Sequence, residues 1–262
     1  MNLKDRVDLV IFDWAGTMVD FGCMAPVNAL MEAFAQEGVI ISETSVRRDM
    51  GKAKLDHVRS LLSYPEVATA WQDRHGRQAD DRDVEALMTR LGPLMREHAA
   101  QASILIPGAR ETFEKLRQMS VRIASSTGYT REMMQPVIAR AAEQGYKPEH
   151  LLCSGETLAG RPAPLMIYKA CVELGVWPLS RVVKVDDAEV GIAEGKAAGV
   201  FTVGVASGNE LGLSPDALEA LPPAPRAARV EHARQALRRA GADLVIDSVA
   251  DLVPLLEKAI CA

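Results

Sequence analysis

From Val121 onward, short apolar and β-branched runs alternate with stretches of helical periodicity. The runs are Val121–Ser125 (VRIAS), Val182–Val185 (VVKV), Phe201–Val203 (FTV) and Asp243–Ile246 (DLVI). Helical patterns cover Ala109–Met119, opened by Pro107-Gly108, then Thr130–Gln144, Pro164–Leu174, Val190–Ala198 and Arg229–Ala240. Parallel strands need helical crossovers, so this rhythm predicts an α/β fold, a doubly wound parallel sheet with a Rossmann-like core. An earlier strand belongs to the same sheet. In Val7–Asp20 (VDLVIFDWAGTMVD) an apolar run ends abruptly at Asp13, followed by the small residues Ala15, Gly16 and Thr17. A buried strand that delivers a carboxylate at its C-terminal end places it where open α/β sheets bind ligands.

Between about Gly22 and Ser103 the rhythm stops. Helical periodicity covers Ala25–Glu37, Ser45–Asp49, Lys52–Leu62, Glu66–Asp73 and Asp83–Gln101, without a convincing strand. This predicts a core made of residues 1–21 and 104–262 and an inserted all-helical cap domain at 22–103. Gly22 and Ser103–Pro107 would be its hinges. A cap on two linkers can close over a site and exclude water. Pro222–Arg226 (PPAPR) reads as an exposed loop.

The 262 residues are 48% hydrophobic, enough for a full core, and the formal net charge is −5. Acids and bases are interspersed, so nothing points to a nucleic-acid partner. No apolar run is long enough to span a bilayer and no signal-peptide pattern opens the chain, which predicts a cytoplasmic protein with no membrane partner. Cys23, Cys153, Cys171 and Cys261 are widely spaced and make no zinc or disulfide pattern.

Four groups fall at ends of proposed strands or in their loops: Asp13, Ser125-Ser126-Thr127-Gly128, Gly160-Arg161-Pro162 and Asp186-Asp187. Taken singly, each has an ordinary reading. Asp13 and Asp187 could cap turns or helices, Thr127 could cap the next helix, and Arg161 could be a surface charge. Together they gather carboxylates, a hydroxyl and a guanidinium on one edge. Separated acids with backbone oxygen suit Mg²⁺, and a hydroxyl with an arginine suits a phosphoryl group.

With these residues in this order, the chain resembles the haloacid dehalogenase superfamily, whose four motifs match Asp13, Thr127, Arg161 and Asp187. The resemblance implies a nucleophilic Asp13 beside Mg²⁺ and a helical cap between the first two motifs. Phosphatases of that superfamily carry a second aspartate two residues on, as general acid. Here the position is Ala15, which has no proton to give. The fourth motif also departs: Gly191 stands where a further acid is usual, and Asp186 or Glu189 could compensate through metal-bound water.

The proposed cap supplies other chemistry. In Met50–His57 (MGKAKLDH), Lys54 and His57 at i,i+3 share a helix face, and Met50 lines the same side. Lys52 would lie about 200° around from Lys54. A lysine beside apolar and cationic groups is enriched in free amine, which condenses with a carbonyl to an imine. An ordinary solvated lysine is the plain alternative. DWAGT, GCMAP at Gly22–Pro26, MGKAKLDHVR at Met50–Arg59, SSTGYTREMM at Ser125–Met134 and GNELGL from Gly208 together resemble the phosphonoacetaldehyde hydrolase (phosphonatase) family.

That resemblance implies hydrolysis of a P–C bond, with phosphonoacetaldehyde as the small-molecule substrate. It implies a Schiff base on Lys54 and an aspartyl phosphate on Asp13. It further implies phosphoryl contacts from Thr127, Gly128 and Arg161, with Gly51 allowing close backbone approach. His57, Tyr129 and Cys23 become the proton-handling group, and Met50 a screen against water. Mg²⁺ falls to Asp13, Asp187 and the Ala15 carbonyl, and the assembly is a homodimer. Ala15 then fits, because carbon departs rather than an alkoxide. A phosphate-ester phosphatase or phosphomutase on the same fold, and a catalytically silent scaffold, are the competing readings.

Overall fold

The computed structural model describes residues 3–261, and the side chain of Cys261 lies outside the described residues. A six-stranded sheet forms the centre: β1 (Leu9–Phe12), β2 (Arg122–Thr127), β3 (His150–Cys153), β4 (Val182–Asp186), β5 (Phe201–Val205) and β6 (Leu244–Ile246). The order is β3-β2-β1-β4-β5-β6 and every pairing is parallel. The expected doubly wound α/β sheet is therefore present. β1 is apolar throughout because both faces are covered. Leu9 and Ile11 pack with Met166, Ile167 and Ala170 on one side. Val10 and Phe12 join the larger core with Phe113 and Leu116 on the other. Each such side chain stabilises the fold by about 1.5–3 kcal/mol.

Between β1 and β2 the described elements are all helical, and those before residue 104 are α1 (Met24–Gln36), α2 (Glu43–Arg47), α3 (Lys54–Ser63), α4 (Pro65–His75) and α5 (Asp81–Ala102). α5 packs against α1. Phe34 meets Trp71 edge-on, and Leu30, Leu87, Leu91 and Met95 fill the space with them. The two linkers run side by side. Val19 bridges Leu105 antiparallel, and Asp20 N–H donates to the Ile104 carbonyl at 3.2 Å. Asp20, at φ 59°, accepts from Met24 N–H and Ala25 N–H at 3.0 and 2.9 Å, which ties the start of α1 to the linker.

The remaining helices are α6 (Ala109–Gln118), α7 (Arg131–Glu143), α8 (Leu165–Leu174), α9 (Glu189–Ala198), α10 (Pro215–Glu219), α11 (Pro223–Arg239) and α12 (Leu252–Cys261). None of the described helices is long and apolar enough to cross a membrane. Three sequence expectations are corrected. β3, with the sequence HLLC, was not anticipated, because four residues at the sheet edge carry little periodicity. Pro222–Arg226 is not a loop: Pro222 caps α11 and Pro223 sits in its first turn, where a missing N–H costs nothing. α3 starts at Lys54, so Met50, Gly51 and Lys52 lie in the turn before it and the helical-wheel argument does not apply to them.

Candidate active site

Strand register builds the site. Phe12 pairs with Ser125 on one side and Val185 on the other, so Asp13, Ser126-Thr127 and Asp186-Asp187 emerge along one sheet edge. Asp13 N–H donates to the Val185 carbonyl at 2.9 Å. The order of the strands reverses here, between β1 and β4, and opens a crevice. The turn after Asp13 depends on Gly16, at φ 90°. A Cβ there would stand 2.0 Å from Asp187 Oδ2, so only glycine admits that carboxylate. Thr17 Oγ1 and Asn209 N–H donate to Asp187 at 2.9 and 2.7 Å and aim it.

Asp13, Asp186 and Asp187 are buried, with one carboxylate oxygen of each within 4.8 Å of the others. Burial raises the Asp13 carboxyl to about 6, with repulsion from Asp186 adding to it. Asp187 is pushed well up by burial, then by Asp13 and Asp186. An oxygen-only cluster of three carboxylates, two of them shared with Arg161 and Lys184, fits a hard cation such as a divalent metal ion.

Behind the cluster lies a buried charge network that sequence reasoning missed. Arg161 Nη1 bonds Asp13 Oδ1 at 2.8 Å, and Nη2 reaches both the carbonyl and the Oγ of Ser126 at 2.8 Å. Its Nε is 3.0 Å from Glu194 Oε2. Lys184 Nζ donates to Ser126 Oγ at 2.9 Å and lies 3.0 Å from Asp186 Oδ2 and 3.4 Å from Glu194 Oε2. A lysine inside the apolar run VVKV was the available signal for this network, since a buried cation requires partners. Glu194 gave none, because its helix is polar on one face.

Above the sheet edge, a partly open pocket with about 310 Å³ of empty space, its mouth included, is lined by Asp13, Ala15, Cys23, Met50, Gly51, Lys54, Thr127, Gly128, Tyr129, Asp186 and Asp187. Ten of the twelve residues proposed from sequence thus meet at one place. The other two lie off the cavity. Arg161 does not line the cavity; it stands behind Asp13 and holds one of its oxygens. His57 is buried off the cavity, with Nε2 donating to the Val46 carbonyl at 2.8 Å and Nδ1 unpartnered.

The insert meets the core closely here. A Cβ on Gly128 would lie 2.5 Å from the Lys52 carbonyl and 2.7 Å from that of Gly51. Gly51, at φ 92°, faces Val190, Ala188 and Arg161.

Lys54 is buried, and its Nζ lies 5.1 Å from the Tyr129 ring centroid. Burial lowers its ammonium from 10.5 to about 8, against attraction from Cys23 and Asp13. His57 falls to about 3, through burial and then Lys54, so it is neutral. Burial pushes the Cys23 thiol and the Tyr129 phenol up, and negative neighbours add to it. The Tyr129 hydroxyl has no protein partner.

Gly191 has a structural reason. A Cβ there would fall 2.0 Å from the Asp186 carboxyl carbon, so Asp186 occupies the space that any side chain at 191 would need. Glu189 is not in the acidic cluster; it lines an outer cleft with Arg47 and Glu210.

A family profile described as haloacid dehalogenase-like hydrolase matches residues 7–199. The chain is 46% identical to the phosphonoacetaldehyde hydrolase of Paraburkholderia xenovorans over 252 residues, covering 96% of this chain and 94% of the relative. It is 38% identical to that of Bacillus cereus over 253 residues, 96% of each. A crystal structure described as a phosphonoacetaldehyde hydrolase-like protein from Oleispira antarctica superposes with a TM-score of 0.96 at 39% identity, covering 100% of this chain and 95% of that one. The chain is therefore an enzyme of the phosphonoacetaldehyde hydrolase family, within the haloacid dehalogenase-like hydrolases.

Proposed function

We propose that this chain hydrolyses the P–C bond of phosphonoacetaldehyde to acetaldehyde and phosphate, through a Schiff base on Lys54 and an aspartyl phosphate on Asp13. The observation that carries the reading is that Lys54 and Asp13, from separate parts of the chain, line one pocket. Residues 22–103 then act as a cap over a core of 1–21 and 104–262.

The amine of Lys54 adds to the aldehyde carbon and loses water, giving a protonated imine. Its depressed pKa keeps a useful fraction as free amine near neutral pH. Asp13 attacks phosphorus with the oxygen that Arg161 leaves free. The P–C bonding pair flows into the iminium, so carbon departs as a neutral enamine rather than a carbanion. Water hydrolyses the aspartyl phosphate to phosphate and restores Asp13. The enamine takes a proton at carbon, and a second water releases acetaldehyde and the Lys54 amine.

Asp13, Asp187 and the Ala15 carbonyl would hold Mg²⁺, which offsets charge as one anion approaches another. Thr127 and Gly128, which line the pocket, would donate to phosphoryl oxygens, and Arg161, bonded to Asp13, would add positive charge behind them. Tyr129 and Cys23 line the cavity beside the amine, His57 lies one helical turn from it, and these three would handle protons around the imine while Met50 would screen it from water. A cytoplasmic homodimer is part of the same reading.

Borohydride reduction in the presence of phosphonoacetaldehyde tests it. Peptide mapping should find the adduct on Lys54. Turnover of phosphate esters without an adduct would favour a phosphatase or phosphomutase, against which Ala15 stands.

A further inference from the structure

The segment Gly208–Leu213 (GNELGL) supplies no side chain to the chemistry above, yet it receives the insert at several points. The linker residue Gly22, at φ 79°, presses on it: a Cβ there would lie 2.2 Å from the Leu213 carbonyl oxygen. Arg47, the last residue of α2, reaches across from the insert. Its Nη1 donates to the Gly22 carbonyl at 3.0 Å and to Asn209 Oδ1 at 3.3 Å. Asn209 Nδ2 returns a bond to the Arg47 carbonyl at 3.4 Å. Gly212, at φ 63°, leaves the guanidinium its space, since a Cβ there would be 2.9 Å from Arg47 Nε.

Both ends of this contact lead into the site. Behind Asn209, its own backbone N–H holds Asp187 at 2.7 Å. Beside Arg47, the Val46 carbonyl holds His57, which lies one helical turn from Lys54. One short helix is thus tied to the lysine end and to the carboxylate end of the cavity. The Arg47 side chain is mostly buried and its hydrogen-bond partners span the linker and the core loop, so its bonds are charge-assisted and poorly replaced by water.

We propose that Arg47 and Asn209 are positioning residues, whose mutual contact fixes the register of the insert on the sheet so that the Lys54 amine and the Asp13 carboxylate face a single substrate molecule. This rests on the imine reading given above. Neither residue touches the reacting atoms; they act through α2 and through the loop behind Asp187.

The test uses the full chain as Arg47→Met, Asn209→Ala and the double variant. Asn209→Ala keeps the backbone N–H that holds Asp187. The first readout is amide hydrogen exchange without substrate. Exchange at Gly51–Lys54 and Gly128 should quicken in each variant, with β1 and β4 unchanged. The second is steady-state turnover of phosphonoacetaldehyde. kcat/KM should fall roughly 100-fold in each single variant, the scale of about 1 Å of misplacement. The double variant should be no worse than the worse single one, since the two share one contact.

Exchange that stays as in the wild type, kcat/KM within about twofold of it, or losses that add in the double variant each overturn the proposal. If Arg47→Met does not fold, Asn209→Ala alone decides by the same two readouts. A wild-type enzyme that neither turns over phosphonoacetaldehyde nor is trapped at Lys54 refutes the imine reading instead. The exchange comparison, made without substrate, still decides the contact.

Discussion

Lys54→Met should make the protein more stable and inactive at once. Lys54 is buried and lines the cavity with Cys23, Met50 and Tyr129, and burial is the largest influence on its ammonium. A fall from 10.5 to about 8 corresponds to about 3 kcal/mol, at about 1.36 kcal/mol per pH unit. The direction follows from proton counting. Below about pH 8 the folded protein carries a buried ammonium that the unfolded chain keeps hydrated, so the cost is present in full. Between about 8 and 10.5 the unfolded chain binds more protons, and wild-type stability rises with pH.

Methionine has similar length and no proton, so it escapes the cost. Urea unfolding at pH 7 in chelator should place the variant about 3 kcal/mol above the wild type, and the gap should shrink to a few tenths by pH 10.5. For a chain of this size, about 3 kcal/mol is a rise in Tm of roughly 6–12 °C. A variant no more stable at pH 7, or a gap that stays constant with pH, would refute the claim that the amine is strained by burial.

Asp13→Asn should still form the Lys54 imine, since the amine is untouched, but release no phosphate; borohydride trapping and phosphate assay check the pair. Gly128→Ala should stay folded yet lose roughly 100-fold in kcat/KM, because its Cβ would meet the Gly51 and Lys52 carbonyls at 2.7 and 2.5 Å and push the lysine loop off the core. Steady-state kinetics beside a thermal melt separates that from unfolding. Added Mg²⁺ should raise the Tm by an amount worth about 2.7 kcal/mol at a hundredfold excess over Kd, and Asp187→Ala should abolish the rise. Calorimetric scans with and without chelator measure it. Lys184→Met should unfold the protein or cost at least about 3 kcal/mol, since Asp186 and Glu194 would lose a buried cation.

Much of the candidate site was legible because its signals are local. An apolar run that ends in an aspartate, a pair of acids after VVKV, and a threonine after VRIAS each state a strand end and a side chain in a few residues. Parallel pairing then leaves little freedom, because Phe12, Ser125 and Val185 in register bring those ends together. Gly16 and Gly191 are different. Each looked like a loop or helix residue, and each turned out to stand aside for a carboxylate, from Asp187 and Asp186 respectively. Arg161 stands behind the pocket, bonded to Asp13, a position that only packing decides.

By itself the sequence determined the α/β class, the parallel sheet, the helical stretch after β1 and most of the candidate site residues that line one pocket. Those features are written in hydrophobic period and in residue type at strand ends. Tertiary structure alone decided that Lys54 arrives over Asp13, that Arg47 meets Asn209, and that Lys184 and Glu194 brace Arg161. These contacts join residues from about 10 to more than 160 positions apart in the chain. No local pattern encodes such separations; the closing of the insert onto the sheet, and the packing of β4 against α9, create them.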